Sequence, residues 1–298
     1  DGIDLLYGDE GDDHLDGGPS GDVIRGGDGI DTVDYSQSAA EVNVDLSITG
    51  HQFGGDAHRD TFPDTDVENV IGSSGNDTLT GNDDNNWIEG GPGADVIDGE
   101  AGWDTASYSQ SAAPVDVDLA AGTGVGGEAQ GDTLSEIEGI SGSPGADTLT
   151  GDAGDNWFEG LAGADVIDGG PGWDNADYSQ SPAGVTLDLG STAPQVSAGD
   201  ASGDTLINLE GVHGSSHDDT IIGSAGDDWI EGGPGADTIT GGDGWDITSY
   251  MLSEEAVTVD LSSAAPQVST GEANGDILTG IEGVIGSPGD DMLTGSDQ

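Results

Sequence analysis

Residues 142–177 read GSPGADTLT, GDAGDNWFE, GLAGADVID, GGPGWDNAD: four consecutive units of nine. Each unit opens on glycine and carries Asp or Asn at its sixth position, at Asp147, Asn156, Asp165 and Asp174. Each holds one apolar or small residue at its eighth, at Leu149, Phe158, Ile167 and Ala176. Positions 1–6 read as a turn, since glycine tolerates positive φ and lets backbone carbonyls crowd together. Positions 7–9 read as a short strand whose middle side chain faces away from its two neighbours. The clock therefore predicts one core residue and one carboxylate or amide for every nine residues.

The same frame recurs at 72–107 and 214–249, less regularly in the opening residues 4–34, and in a last block at 286–294. A longer period lies over it. The segments DTVDYSQSAAEVNVDL, DTASYSQSAAPVDVDL, DNADYSQSPAGVTLDL and DITSYMLSEEAVTVDL begin at residues 31, 104, 174 and 246, at spacings of 73, 70 and 72. Each long repeat adds a fifth unit with its position-6 acid at Asp60, Asp132, Asp204 or Asp276. Fixed periods without linkers indicate stacked coils rather than separate beads. The expectation is an all-β solenoid running as one body over 1–298, with a wider coil inserted about every 72 residues. Its long repeats are bounded at 1–34 (partial), 35–107, 108–177, 178–249 and 250–298 (partial). The first residues fall inside a repeat and lack methionine, as expected for a piece of a longer or processed chain.

Among 298 residues there are 61 acids and two strong bases, Arg25 and Arg59, for a net charge of −59. Phosphate would be repelled, so nucleic acid is excluded as a partner, and anionic membrane surfaces are disfavoured. Cysteine is absent, which removes disulfides and thiolate metal sites. No apolar run approaches the length of a membrane span. Carboxylates one strand spacing apart repel by about 3 kcal/mol per pair at an effective dielectric near 20. One core residue per nine offers little to offset that repulsion and the entropy of ordering the chain. The folded state needs cations.

If two units make one 18-residue coil, units i and i+2 stack on the same edge. Position-6 residues then pair across turns: Asp4 with Asp22, Asp13 with Asp31, Asp77 with Asp95, Asn86 with Asp104, Asp147 with Asp165, Asn156 with Asp174, Asp219 with Asp237, and Asp228 with Asp246. Asp60, Asp132, Asp204, Asp276 and Asp291 hold the same position in the remaining units and join the candidate ligands. Two carboxylates with loop carbonyls make an all-oxygen cage, which suits Ca²⁺ with its 6–8 flexible ligands better than octahedral Mg²⁺. Five scattered histidines, His14, His51, His58, His213 and His217, leave zinc and copper without their usual ligand sets.

The unit G-x-x-G-x-D-x-U-x, with U apolar, resembles the nine-residue calcium-binding repeat of the RTX (repeats-in-toxin) family. The match covers the blocks 4–34, 72–107, 142–177, 214–249 and 286–294, about half of the chain. The resemblance implies a parallel β-roll, export by a type I pathway, and folding on meeting extracellular calcium. The segments between blocks resemble those of large bacterial surface proteins and of calcium-binding modules in secreted polysaccharide enzymes. Asn at 86 and 156, His217 in place of a loop glycine, and the early end of the last unit at Gln298 depart from the pattern. Weaker or missing sites are expected there.

Between the blocks, VNVDL (42–46), VDVDL (115–119), VTLDL (185–189) and VTVDL (257–261) alternate as strands. They read mainly as wider coils, with further calcium ligation by Asp118, Asp188, Asp260, Glu138, Glu210 or Glu282 as the minor reading. Six tryptophans form three pairs sixteen apart, Trp87/Trp103, Trp157/Trp173 and Trp229/Trp245. Position 7 of one unit and position 5 of the unit two later both lie on the outer wall. The pairs there either cap loops or offer a contact strip for another chain, a surface or a polysaccharide.

No H-E-x-x-H, G-x-S-x-G or cysteine nucleophile occurs, and acid pairs that recur eight times do not read as a catalytic dyad. The chain is expected not to be an enzyme. It reads as a secreted or cell-surface, calcium-binding structural or adhesive protein that rigidifies on binding about eight or more Ca²⁺. Self-association end to end into filaments is a further expectation. The alternative is a calcium-binding and secretion module of a larger secreted enzyme, polysaccharide-active or a protease.

Overall fold

A computed structural model of the chain describes residues 2–64 and 66–296; Gln298, where the last unit ends early, lies outside them. Among these residues the structure is all β, with short parallel strands, turns and one single-turn 3₁₀ segment at Gly127–Ala129. The chain divides into two compact units, Asp1–Pro144 and Gly145–Gln298.

In the first unit, each glycine turn delivers a three-residue strand, and strands 18 residues apart pair in parallel. Leu79 lies opposite Ile97, and Ile88 opposite Ala106. One edge stacks His14–Leu15, Thr32–Asp34, Asn69–Ile71, Trp87–Glu89, Thr105–Ser107 and Gly139–Ser141. The opposite edge stacks Val42–Asp45, Thr78–Thr80, Val96–Asp98 and Thr133–Ser135. The second unit repeats the plan, with Trp157–Glu159, Asn175–Asp177, Gly211–His213, Trp229–Glu231, Ile247–Ser249 and Gly283–Ile285 on one edge. Parallel pairing of coils makes both units β-rolls.

The position-8 side chains fill the narrow interior. Leu79, Ile88, Ile97 and Ala106 in one unit, and Phe158, Ile167, Ile221 and Ile239 in the other, are fully buried.

The inserted segments widen the coil, so that the residue opposite Ile97 is Leu134 and the residue opposite Ala106 is Ile140. They also add a seam that sequence reasoning missed. The strand Asp116–Asp118 pairs antiparallel with Thr123–Val125. The strand Val42–Asp45 pairs antiparallel with Phe53–Gly54 in the same way, and in the long repeats other than that of Asp116–Asp118 a buried glutamine also spans the seam. Gln195 Oε1 accepts the N–H of Asp188 (3.0 Å) while its Nε2 donates to the Asp188 carbonyl (3.1 Å). Gln52 does the same to Asp45, and Gln267 to Asp260. A carboxamide offers one donor edge and one acceptor, as a peptide does, so it stands in for a neighbouring strand. Where the glutamine is replaced by Gly124, the backbone itself closes in.

Candidate metal sites

Eight ladders of acids run along the stacked turns. In each, the main-chain N–H of one position-6 residue donates to the carboxylate of the residue one coil on. The bonds run from Asp4 to Asp22 (2.7 Å), Asp13 to Asp31 (2.9 Å), Asp77 to Asp95 (2.8 Å) and Asn86 to Asp104 (2.7 Å). In the same way Asp147 donates to Asp165, Asn156 to Asp174, Asp219 to Asp237 and Asp228 to Asp246. These are the eight pairs that an 18-residue coil dictates. The link, however, is main chain to carboxylate rather than two carboxylates facing one another.

Each middle residue donates in turn to a third acid from the inserted coil. On one edge Asp22, Asp95, Asp165 and Asp237 donate to Asp60, Asp132, Asp204 and Asp276. On the other edge Asp31, Asp104, Asp174 and Asp246 donate to Glu68, Glu138, Glu210 and Glu282. The glutamates thus take over the position-6 role in the wide coil. The fifth-unit aspartates differ from the rest. Their second oxygen accepts a buried phenol, with Tyr35 on Asp60 (3.0 Å), Tyr108 on Asp132 (3.2 Å), Tyr178 on Asp204 (2.9 Å) and Tyr250 on Asp276 (2.7 Å). The tyrosine of each YSQS-type segment recurs 24–26 residues before this aspartate, and that recurrence was the sequence signal for the pair.

In all eight ladders the middle carboxylate is buried with Oδ2 unpartnered, at Asp22, Asp31, Asp95, Asp104, Asp165, Asp174, Asp237 and Asp246; Asp13 shares the condition. A buried carboxylate oxygen without a donor is costly. Burial pushes Asp95, Asp165 and Asp237 up to about 8; the accepted main-chain bond opposes the shift and neighbouring acids reinforce it. Asp104 and Asp174 are raised to about 6, again first by burial.

Other oxygens converge on the same places. A Cβ built on Gly99 would lie 2.0 Å from the Glu136 carbonyl oxygen and 2.6 Å from Asp104 Oδ2. At Gly241 the corresponding distances are 2.0 Å to the Gly280 carbonyl and 2.4 Å to Asp246 Oδ2. Only glycine leaves these oxygen-lined cradles open. No group of three or more His, Asp or Glu side chains suited to a metal occurs among the described residues, so an ion here would rely heavily on carbonyls. Such a donor set suits Ca²⁺.

The remaining candidates fall outside the ladders' bare oxygens. Asp118 and Asp260 accept turn N–H groups from Ala121 and Ser262, and Asp291 accepts from Val257 (2.8 Å) and Ser287. Trp103, Trp173 and Trp245 are exposed by 37%, 38% and 59%. Trp87, Trp157 and Trp229 are half-buried on strands, with Trp157 edge-on to His213.

Stacked glycine turns, each presenting buried carboxylate and carbonyl oxygens, define a calcium-binding β-roll repeat protein. The RTX calcium-binding nonapeptide repeat matches in four copies, at residues 1–33, 68–106, 141–175 and 213–247, so the chain carries the calcium-binding repeats of that family. A comparison with curated proteins finds no match.

Proposed function

We propose that the chain is a non-enzymatic, extracellular structural or adhesive element whose β-rolls fold and stiffen on binding about eight or more Ca²⁺, on the order of one per ladder. The observation that carries this reading is the bare Oδ2 of the middle carboxylate, repeated in all eight ladders. Calcium supplies the charge and ligands those oxygens lack; the chain's own residues hold the oxygens in register through the N–H-to-carboxylate bonds. The exposed tryptophans at 103, 173 and 245 suit contact with a surface, a polysaccharide or another copy, consistent with adhesion or filament growth. The alternative, a calcium-binding secretion module of a larger enzyme, uses the same sites and calls for a catalytic domain elsewhere in the parent chain.

Small-angle scattering with electron microscopy tests the structural role. Adding calcium to about 0.1–1 mM, the range of extracellular modules, should contract the chain into a stiff particle, and filaments should grow only with calcium present. A chain that keeps its expanded dimensions at saturating calcium would rule this reading out.

A further inference from the structure

The turns come in two kinds, and the residue at position 2 separates them. In the nine loops whose aspartate has a bare Oδ2, position 2 is left-handed. Six of these residues are glycines, such as Gly91 (φ 80°) and Gly233 (φ 84°); the others are Asp9 (φ 76°), Glu100 (φ 69°) and Leu161 (φ 61°). Left-handed backbone costs a non-glycine residue on the order of 1–2 kcal/mol, and such strain persists where the surroundings demand it.

In at least five other loops, with Ser, Asn or Asp at position 2 and no positive φ, the position-2 N–H turns inward and donates to the loop's own position-6 side chain. Ser73 donates to Asp77 (2.6 Å), Asn82 to Asn86 (2.7 Å), Asp152 to Asn156 (2.8 Å), Ser215 to Asp219 (2.7 Å) and Ser224 to Asp228 (2.6 Å). Asp228 alone among these keeps its other oxygen, Oδ1, bare. An inward N–H occupies the place of a cation. Both position-6 asparagines, Asn86 and Asn156, fall in this second kind of loop. An amide oxygen accepts an N–H as well as a carboxylate does but brings no charge for a cation.

We propose that the handedness of position 2 assigns each loop its partner: left-handed loops take calcium, and the others are capped by their own main chain and take none. Four of these five capped loops are the first two of the blocks that begin at residues 72 and 214, so each of these blocks opens with turns that close without metal; the fifth, at Asp152–Asn156, is the second of the block that begins at 142. The inference rests on calcium being the ligand, and it specifies which loops bind it.

Equilibrium dialysis of the full chain against ⁴⁵Ca²⁺ should count about nine ions, one for each left-handed loop with a bare Oδ2, rather than one for every nine-residue loop. Asp237→Asn should lose one ion and raise the calcium midpoint, while Asp219→Asn keeps the full count, and Asn156→Asp gains none. Equal ion loss in D219N and D237N, or an added ion in N156D, would overturn the assignment while leaving calcium binding intact. If D237N does not fold, the wild-type count and the N156D result still decide. Absence of calcium binding by the wild-type chain would instead remove the reading on which the inference rests.

Discussion

Gly99→Ala is expected to raise the calcium concentration needed for folding and to lower thermal stability by about 1–3 kcal/mol or more, the usual cost of overpacking. The new Cβ would sit 2.0 Å from the Glu136 carbonyl oxygen and 2.7 Å from Asp104 Cβ. The carbonyl belongs to the backbone and has little room to retreat. The same atom would fill the cradle beside Asp104 Oδ2, so the variant loses an ion site as well as packing. Gly226→Ala is the control. Its Cβ would meet only the Ser224 hydroxyl, at 3.5 Å, and no positive φ is required there. Thermal melts in saturating calcium should separate the two variants clearly; equal melting temperatures would show that the cradle is not under steric control.

The second large effect is on pH. Asp95, Asp165 and Asp237 are raised to about 8, Glu89 and Glu231 to about 7, and Asp132, Asp204 and Asp276 to about 6, with burial the leading cause throughout. In the unfolded chain these groups titrate near 4. Between about pH 4 and pH 8 the metal-free fold therefore binds more protons than the unfolded chain, and its stability falls as pH rises through that window. Metal-stripped protein should show more β-structure at pH 5 than at pH 8.5. Calcium competes with those protons, so calcium affinity should run the opposite way and strengthen as pH rises. Circular dichroism across this range checks both signs; metal-free structure that grows with pH would contradict the burial of ionised carboxylates.

Much of this arrangement was legible because each position in the nine-residue unit has one task. Glycine at 1, the acid at 6 and the apolar residue at 8 announce turn, ligand and core, and simple arithmetic places Asp77 beside Asp95 and Ile88 beside Ala106. The parts that escaped depend on relations the local clock does not carry. The Tyr178–Asp204 bond and the Asp174–Glu210 link join residues 26 and 36 apart across the inserted segment, where the period breaks. The Gln195 seam was hidden because its amide imitates a strand, and no strand pattern marks it. The two kinds of loop differ in backbone handedness. Glycine at position 2 hints at it, but Leu161 and Glu100 adopt the same conformation without any residue preference to announce it.

The central claim is that calcium, held by the bare carboxylates of the ladders, organises the fold. Far-ultraviolet circular dichroism during calcium titration of metal-stripped protein at pH 7.5 tests it most directly. A largely disordered chain should convert cooperatively to β-structure at roughly 0.1–1 mM Ca²⁺, within the range of extracellular calcium modules, and Mg²⁺ should fail to substitute. A chain already fully β-structured in chelator, or one that responds equally to Mg²⁺, would contradict the claim.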